Sequence, residues 1–369
     1  MPGFTNVIDA AIPPEEAERW AFVIPDGDPA GTGLNAMISA GLHPLEETGF
    51  VRLGRVNVLD ASSVAAISWT TLGPDSLDVA DHWHLLVGSD HVISRATAEG
   101  RLYVCRASAD STLAGSPVEA ALPIVAPRGT YGAPSTAAFI NADWSTNDHA
   151  LLLARRGGVQ VVLGNTAGDS LRFVHLDSGL VCRSTTLRAG QLGSAADRVK
   201  NTASARRLGG GRELSQVVVV APTSLGYDQA GDLRVLDAEP DLRAWAELAR
   251  IAGGDQHQLQ LGTVCFLPGD YRLVTYKRLD TTWRPEPGLD DGGDIVRTLF
   301  DASWVELGTE VLRAGVATGG IVGNRPHTIR YDESGAVYVI TTWDEWTLGS
   351  TRVGPTPAGC RYRVDAWVP

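Results

Sequence analysis

Residues 269–283 read GDYRLVTYKRLDTTW, and residues 334–348 read SGAVYVITTWDEWTL. Each stretch begins with a turn that contains glycine and continues into a run of residues that fit a pleated strand. A glycine beside an acidic or polar residue is typical of a tight hairpin, because such a turn needs a residue that tolerates positive φ. Both stretches therefore predict a turn followed by a β-strand.

The same unit recurs along the chain. Four further copies are TGFVRLGRVNVLDA from Thr48, EGRLYVCRASADS from Glu99, GDSLRFVHLDSGL from Gly168 and GDLRVLDAEPDL from Gly231. The turn glycines of the six copies are Gly49, Gly100, Gly168, Gly231, Gly269 and Gly335, at intervals of 51, 68, 63, 38 and 66 residues. Most of these intervals leave room for the other strands of a small antiparallel sheet, so the pattern predicts an all-β chain.

Units of this kind resemble the blades of a β-propeller, in which small sheets that cannot bury both faces alone pack against one another around an axis. The resemblance implies one closed propeller domain over residues 1–369, with six blades, and with five or seven as alternatives. The W-D and kelch signatures are missing at fixed offsets, so no particular family is indicated. A fold of this class does not by itself specify a function.

Both ends of the chain contain strand-like segments outside the six copies. They are RWAFVIPDG at residues 19–27 and RYRVDAWVP at residues 361–369. A propeller commonly closes by pairing its first and last strands, which removes exposed sheet edges. We expect these two segments to share one blade.

One segment has a helical pattern, with a peripheral helix expected near residues 241–252. Apolar residues recur there at helical spacing, after a candidate N-cap and before two glycines that would stop a helix. They are Leu242, Trp245, Leu248 and Ile251, between Asp241 and Gly253–Gly254.

Composition excludes several classes of partner. The 369 residues carry a formal net charge of −12, so the overall field repels nucleic acid and anionic lipid. No apolar run approaches the roughly 18 residues of a membrane helix, and the first residues lack the pattern of a signal peptide. We therefore expect no nucleic-acid partner, no membrane insertion and cytoplasmic synthesis, with incorporation into a particle left open.

Tryptophans beside carboxylates are the strongest candidates for a binding site, because a sugar needs an apolar face for stacking and acceptors for its hydroxyl groups. One cluster lies in residues 343–346, and two more tryptophans lie near charged residues. The candidate binding residues are Trp343, Asp344, Glu345, Trp346, Trp144 and Trp283. Core packing between blades is the alternative role for each tryptophan.

Signals for catalysis and metal binding are weak. His82 and His84 are two residues apart in a predicted strand, a spacing that some metal sites use. The neighbouring Asp81-His82 pair recurs as Asp148-His149, which favours a structural role in the repeat. No nucleophile-elbow, Walker or zinc-protease motif occurs, so the sequence predicts no catalytic residue, no metal and no cofactor.

These observations lead to two hypotheses of different classes. The leading one is a non-enzymatic binding or structural module that contacts a protein or a glycan through its loops, for example as a component of a phage-tail-like particle. The alternative is a glycan-active hydrolase or lyase with carboxylates at the propeller axis. Asp81, Asp148 and Asp255 are the repeated aspartates that could lie near one end of that axis.

Overall fold

A computed structural model describes about half of the chain. The described residues are 1–12, 18–25, 35–42, 51–57, 59–62, 69–72, 82–87, 90–96, 102–108, 150–155, 158–164, 170–177, 182–189, 218–223, 229–237, 246–280, 293–315, 321–333, 335–347 and 356–369.

The described residues are mainly strands. In chain order these are β1 (Phe4–Ile12), β2 (Glu18–Pro25), β3 (Asn35–Leu42), β4 (Val51–Asn57), β5 (Trp69–Leu72), β6 (His82–Val87), β7 (Asp90–Ala96), β8 (Leu102–Ser108), β9 (Ala150–Arg155), β10 (Gly158–Gly164), β11 (Ser170–Asp177), β12 (Cys182–Ala189), β13 (Val218–Pro222), β14 (Leu233–Asp237), β15 (Ala246–Ile251), β16 (His257–Leu267), β17 (Tyr271–Asp280), β18 (Asp294–Phe300), β19 (Glu306–Arg313), β20 (Ile321–Glu333), β21 (Ala336–Thr347) and β22 (Thr356–Trp367).

These strands form six antiparallel sheets, which we number I to VI. Sheet I holds β2–β5, sheet II β6–β8, sheet III β9–β12, sheet IV β13–β15 and sheet V β16–β19, while sheet VI has the order β1-β22-β21-β20. One edge strand of each sheet contacts an edge strand of the next sheet: β13 contacts β16, β16 contacts β20, β20 contacts β2, β2 contacts β6 and β6 contacts β9. Sheets IV, V, VI, I, II and III therefore follow one another side by side.

Sheet VI joins the two ends of the chain. Strand β1 pairs antiparallel with β22, with Phe4 opposite Trp367 and Ala10 opposite Tyr362. The expectation that residues 19–27 pair with the last strand is therefore wrong, because β2 begins sheet I instead. Residues 4–12 form the partner instead, and the register shift between Asn6 and Ile8 interrupts the alternation that would mark them as a strand.

Each of the six sequence copies supplies one strand to a different sheet. The copies correspond to β4, β8, β11, β14, β17 and β21. Counted from the edge strand that contacts the neighbouring sheet, this strand is the third in sheets I to III and the second in sheets IV to VI. This shift by one strand explains part of the uneven spacing of the turn glycines.

The predicted helix near residues 241–252 is wrong over its described part, because Ala246–Ile251 forms strand β15. The pairing of β15 with β14 has an irregularity that leaves Leu248 as an extra residue, since Val235 lies opposite Ala249 and Leu236 opposite Glu247. A β-bulge shifts the alternation of faces by one residue. Leu248 and Ile251 can thus both pack on one core cluster although they are three residues apart, which imitates helical spacing.

The turn glycines serve two different purposes. Gly269 and Gly335 have φ values of 79° and 83°, as expected for hairpin turns. Gly231 instead forms a parallel bridge with Gln258 of sheet V, and its N–H donates to the His257 carbonyl at 3.0 Å. Its role is to join sheets IV and V.

Apolar clusters fill the described spaces between sheets. One lies between sheets IV and V and includes Val235, Ile251 and Tyr276, and another, between sheets V and VI, includes Leu273, Val339 and Trp367. No helix in the described ranges is long and apolar enough to cross a membrane.

Candidate functional site

Strand β21 carries the tryptophan cluster predicted from the sequence. Trp343 is 1% exposed, and its indole N–H donates to Glu345 Oε1 at 3.3 Å. Glu345 is also buried and accepts a hydrogen bond of 2.9 Å from Arg313 Nε of sheet V. These two predicted residues are therefore brought together, but inside the protein. Asp344 and Trp346 lie on the same strand, which has a pairing irregularity with β22 between Glu345 and Trp346.

The other predicted residues fall in different places. Trp144 and Trp283 lie outside the described residues, as do Asp81 and Asp148, whereas Asp255 is exposed in the turn before β16. His82 and His84 lie in β6, opposite Arg95 and Ile93 of β7. Within the described residues, no group of three or more His, Cys, Asp and Glu side chains is placed to hold a metal ion.

A buried charge network, which we call the junction network, connects sheets V and VI. Arg297 of β18 is fully buried, and its Nη1 donates to Asp365 Oδ2 of β22 at 2.7 Å. Asp365 is also fully buried. The other guanidinium nitrogens, Nε and Nη2, donate to Glu310 Oε2 of β19 at 3.1 and 2.8 Å. The guanidinium carbon lies 4.3 Å from the ring centroid of Phe4, so strand β1 also takes part in this contact.

Arg363 completes the charge balance of the junction network. Its Nε donates to both oxygens of Asp365 at 3.0 Å, and its Nη2 donates to Glu310 Oε1 at 3.3 Å. Two arginines thus face two carboxylates. Burial opposes ionisation of Glu310, but the attraction of Arg297 and Arg363 outweighs it and lowers the pKa of this carboxyl. The arrangement keeps Glu310 ionised and holds the two sheets together.

We expect the contribution of Glu310 to stability to disappear in acid. Because its pKa is lower in the folded chain than in the unfolded chain, the contribution is present above the unfolded value of about 4.3 and is lost as pH falls through the folded value. Urea unfolding of the wild type and Glu310→Gln at pH 7 and at pH 3 measures it. The difference in the free energy of unfolding between the two proteins should be smaller at pH 3 than at pH 7. A difference that does not depend on pH would contradict the lowered pKa.

A second group of side chains, the hairpin-end cluster, lies at one end of sheet V. It consists of Phe266, Asp270, Arg272, Asp301 and Trp304. Arg272 Nη1 donates to the carbonyl oxygens of Asp270 at 2.6 Å and Asp301 at 2.9 Å, which ties the β16–β17 turn to the β18–β19 turn. The Arg272 guanidinium also lies 5.1 Å from the Trp304 ring centroid and 5.8 Å from that of Phe266.

Trp304 occupies an unusual backbone conformation. Its φ is 62°, and that of Asp270 in the neighbouring turn is 61°, in the left-handed region that favours glycine. Asp301 Oδ1 fixes the turn by accepting hydrogen bonds from the backbone N–H groups of Ser303 and Val305 at 2.8 and 2.9 Å. The Trp304 side chain is half-buried, with Val305 beside it 57% exposed. The turn therefore presents an aromatic ring beside a carboxylate at the protein surface.

Sequence reasoning missed Trp304 although the signal was present. The segment Asp301–Glu306 places this tryptophan between two carboxylates, the same pattern that singled out residues 343–346. The difference is that Trp304 lies in a turn, whereas Trp343 lies within a central strand.

Comparisons with known proteins bear on the fold. No protein-family model and no curated protein matches the chain. A crystal structure of a protein of unknown function from Dyadobacter fermentans aligns over 100% of both chains with a TM-score of 0.60 at 12% identity. The neuraminidase-like protein of an isolate from the flat-faced bat aligns over 99% of this chain and 94% of its own, with a TM-score of 0.55 at 8% identity.

A third structure is more distant. The Aleuria aurantia lectin, described as a six-bladed β-propeller, aligns over 75% of this chain and 77% of its own with a TM-score of 0.41 at 12% identity. The two whole-length similarities and the series of small antiparallel sheets define the class of this protein as a β-propeller. At these identities the similarities show the fold alone.

Proposed function

We propose that this chain is a single closed six-bladed propeller that acts as a rigid, non-enzymatic module and binds a glycan through its turns and loops. The junction network is the observation that carries this proposal. It uses buried charges and the first strand to fasten sheet VI to sheet V, so the surface turns are held on a stiff support.

The electrostatics of the junction favour a structural role over hydrolysis. A glycosidase acid needs a raised pKa, so that it holds a proton at neutral pH. Glu310 has a lowered pKa, and Glu345 and Asp365 are each paired with arginine. Glu310 is thus held ionised, and Glu345 and Asp365 bind neighbouring strands through their arginine partners.

The hairpin-end cluster supplies the glycan-contacting chemistry that the proposal needs. Trp304 packs on Phe300 and lies beneath the Arg272 guanidinium, so it offers the remaining exposed part of its ring. The exposed Ser303 and Glu306 add a hydroxyl group and a carboxylate nearby. Trp144 and Trp283 remain predicted contacts. The role as a component of a phage-tail-like particle, with a protein partner, stays a prediction from the sequence.

We expect Trp304→Gly to weaken glycan binding about fivefold, because stacking on an aromatic ring contributes on the order of 1 kcal/mol. Glycine also suits the left-handed backbone at this position, so the turn itself is preserved. The measurement is binding of the purified full chain and its variants to an immobilised glycan array, with thermal unfolding to verify the fold.

Trp367→Phe is the matched control, since Trp367 is a buried tryptophan that packs on Phe4 and Tyr271. It should leave binding unchanged. Equal binding by Trp304→Gly and wild type would remove Trp304 from the site. Failure of the wild type to bind any glycan would contradict the proposed partner, and release of free saccharide from the array would favour the hydrolase.

A further inference from the structure

Two buried hydroxyl groups lie next to each other on sheet VI without a partner in the described part of the chain. Thr342 of β21 is directly opposite Tyr362 of β22 in the strand register. Their side chains are 1% and 0% exposed. Neither Thr342 Oγ1 nor Tyr362 Oη makes a hydrogen bond to the described residues.

Both hydroxyl groups lie on the face of sheet VI that is turned away from sheet V. Successive residues of a strand point to opposite faces. The neighbouring Thr341 faces sheet V, because it contacts Thr328, which donates to Thr275 of β17 at 2.9 Å. Thr342 and Tyr362 consequently face sheet I, whose strand β2 contacts both β21 and β22.

Asp60, which follows β4 of sheet I, acts on Tyr362 through its charge. Burial and the negative charge of Asp60 raise the pKa of Tyr362 to about 12. Asp60 is exposed and accepts hydrogen bonds from Ser62. The phenol therefore keeps its proton and can donate a hydrogen bond, as can the Thr342 hydroxyl group.

Buried polar atoms in folded proteins are almost always hydrogen-bonded, either to the protein or to ordered water. A buried water typically makes about three hydrogen bonds. Thr342 and Tyr362 are almost fully buried, so a small solvent molecule is the partner that suits their hydroxyl groups.

We propose that the junction between sheets I and VI binds ordered water, which accepts hydrogen bonds from Tyr362 and Thr342. Such water links the sheet that joins the chain ends to the next sheet. The site is independent of the proposed glycan contact at sheet V.

Tyr362→Phe tests the site by the sign of its effect. Loss of a hydrogen bond to bound water should lower the melting temperature by a few degrees, whereas removal of a hydroxyl group that has no partner at all should leave it unchanged or raise it. Tyr276→Phe is the matched control, because Tyr276 is equally buried and its phenol contacts Thr298 Oγ1 at 3.2 Å. The proposal expects both variants to lose stability similarly, and a neutral or stabilising Tyr362→Phe would overturn it.

A crystal structure of the full chain that resolves ordered water provides the second measurement. We expect density within hydrogen-bonding distance of Tyr362 Oη, and its loss or displacement in Tyr362→Phe. A well-ordered junction without such density would overturn the proposal, whatever the stability of the variants.

Discussion

Arg297→Met should lower the free energy of unfolding by about 3–5 kcal/mol, because removal of one partner of a buried ion pair leaves the other charge poorly compensated in a site of low polarity. Asp365 is fully buried and, among the described residues, would retain Arg363 and Asn6 as hydrogen-bond partners. The variant also loses the contact of the guanidinium with the Phe4 ring. Urea unfolding at pH 7 measures the loss.

Two comparisons make this prediction specific. Arg250 is 48% exposed and pairs with Glu247 and Asp232, so Arg250→Ala should cost no more than about 1 kcal/mol. The double variant Arg297→Met/Asp365→Leu should lose less unfolding free energy than the two single variants lose together, because it removes both buried charges. A loss for Arg297→Met as small as that for Arg250→Ala would show that the junction network does not stabilise the fold.

Gly253→Ala should be the second most damaging substitution, with a loss of about 2–3 kcal/mol. A Cβ at this position would lie 2.4 Å from the carbonyl oxygens of both Gly231 and His257, and backbone atoms cannot give way as a flexible side chain can. The substitution would therefore force apart the backbone segments at Gly231 and His257, where sheets IV and V contact each other. Thermal and urea unfolding report the change.

The adjacent glycine is a natural control. Gly254 has a φ of 64°, and a Cβ there would have no neighbour within 4 Å, so Gly254→Ala carries only the backbone penalty of about 1 kcal/mol. If Gly254→Ala proved more harmful than Gly253→Ala, the close approach of the two sheets at Gly231 would be incorrect.

The strand content was predictable from the sequence because strands and hairpins are local. Turn glycines followed by β-formers located six strands that belong to six different sheets. The helix error has an equally local cause: the bulge at Leu248 places residues three apart on one face of β15. The alternation of apolar and polar residues along one strand does not reveal a bulge, because the extra residue is defined by its pairing with the neighbouring strand.

The candidate site could be predicted only in part. Residues 343–346 are predicted from composition, and the structure places two of them, Trp343 and Glu345, in the interior, because their side chains face sheet V. The Arg297–Asp365 pair joins residues 68 positions apart, and nothing local marks either residue as a partner of the other. Such pairings arise from the stacking of sheets and become visible only in the folded chain.

Native-state hydrogen exchange of strand β1 tests the closed, rigid propeller most directly. If pairing with β22 and the junction network lock the chain ends, the β1 amides that hydrogen-bond to β22 should exchange with free energies close to those of β17 and β18. Rapid exchange of these hydrogen-bonded β1 amides while β17 and β18 stay protected would contradict the closed propeller, because the end strand would then open independently of the rest.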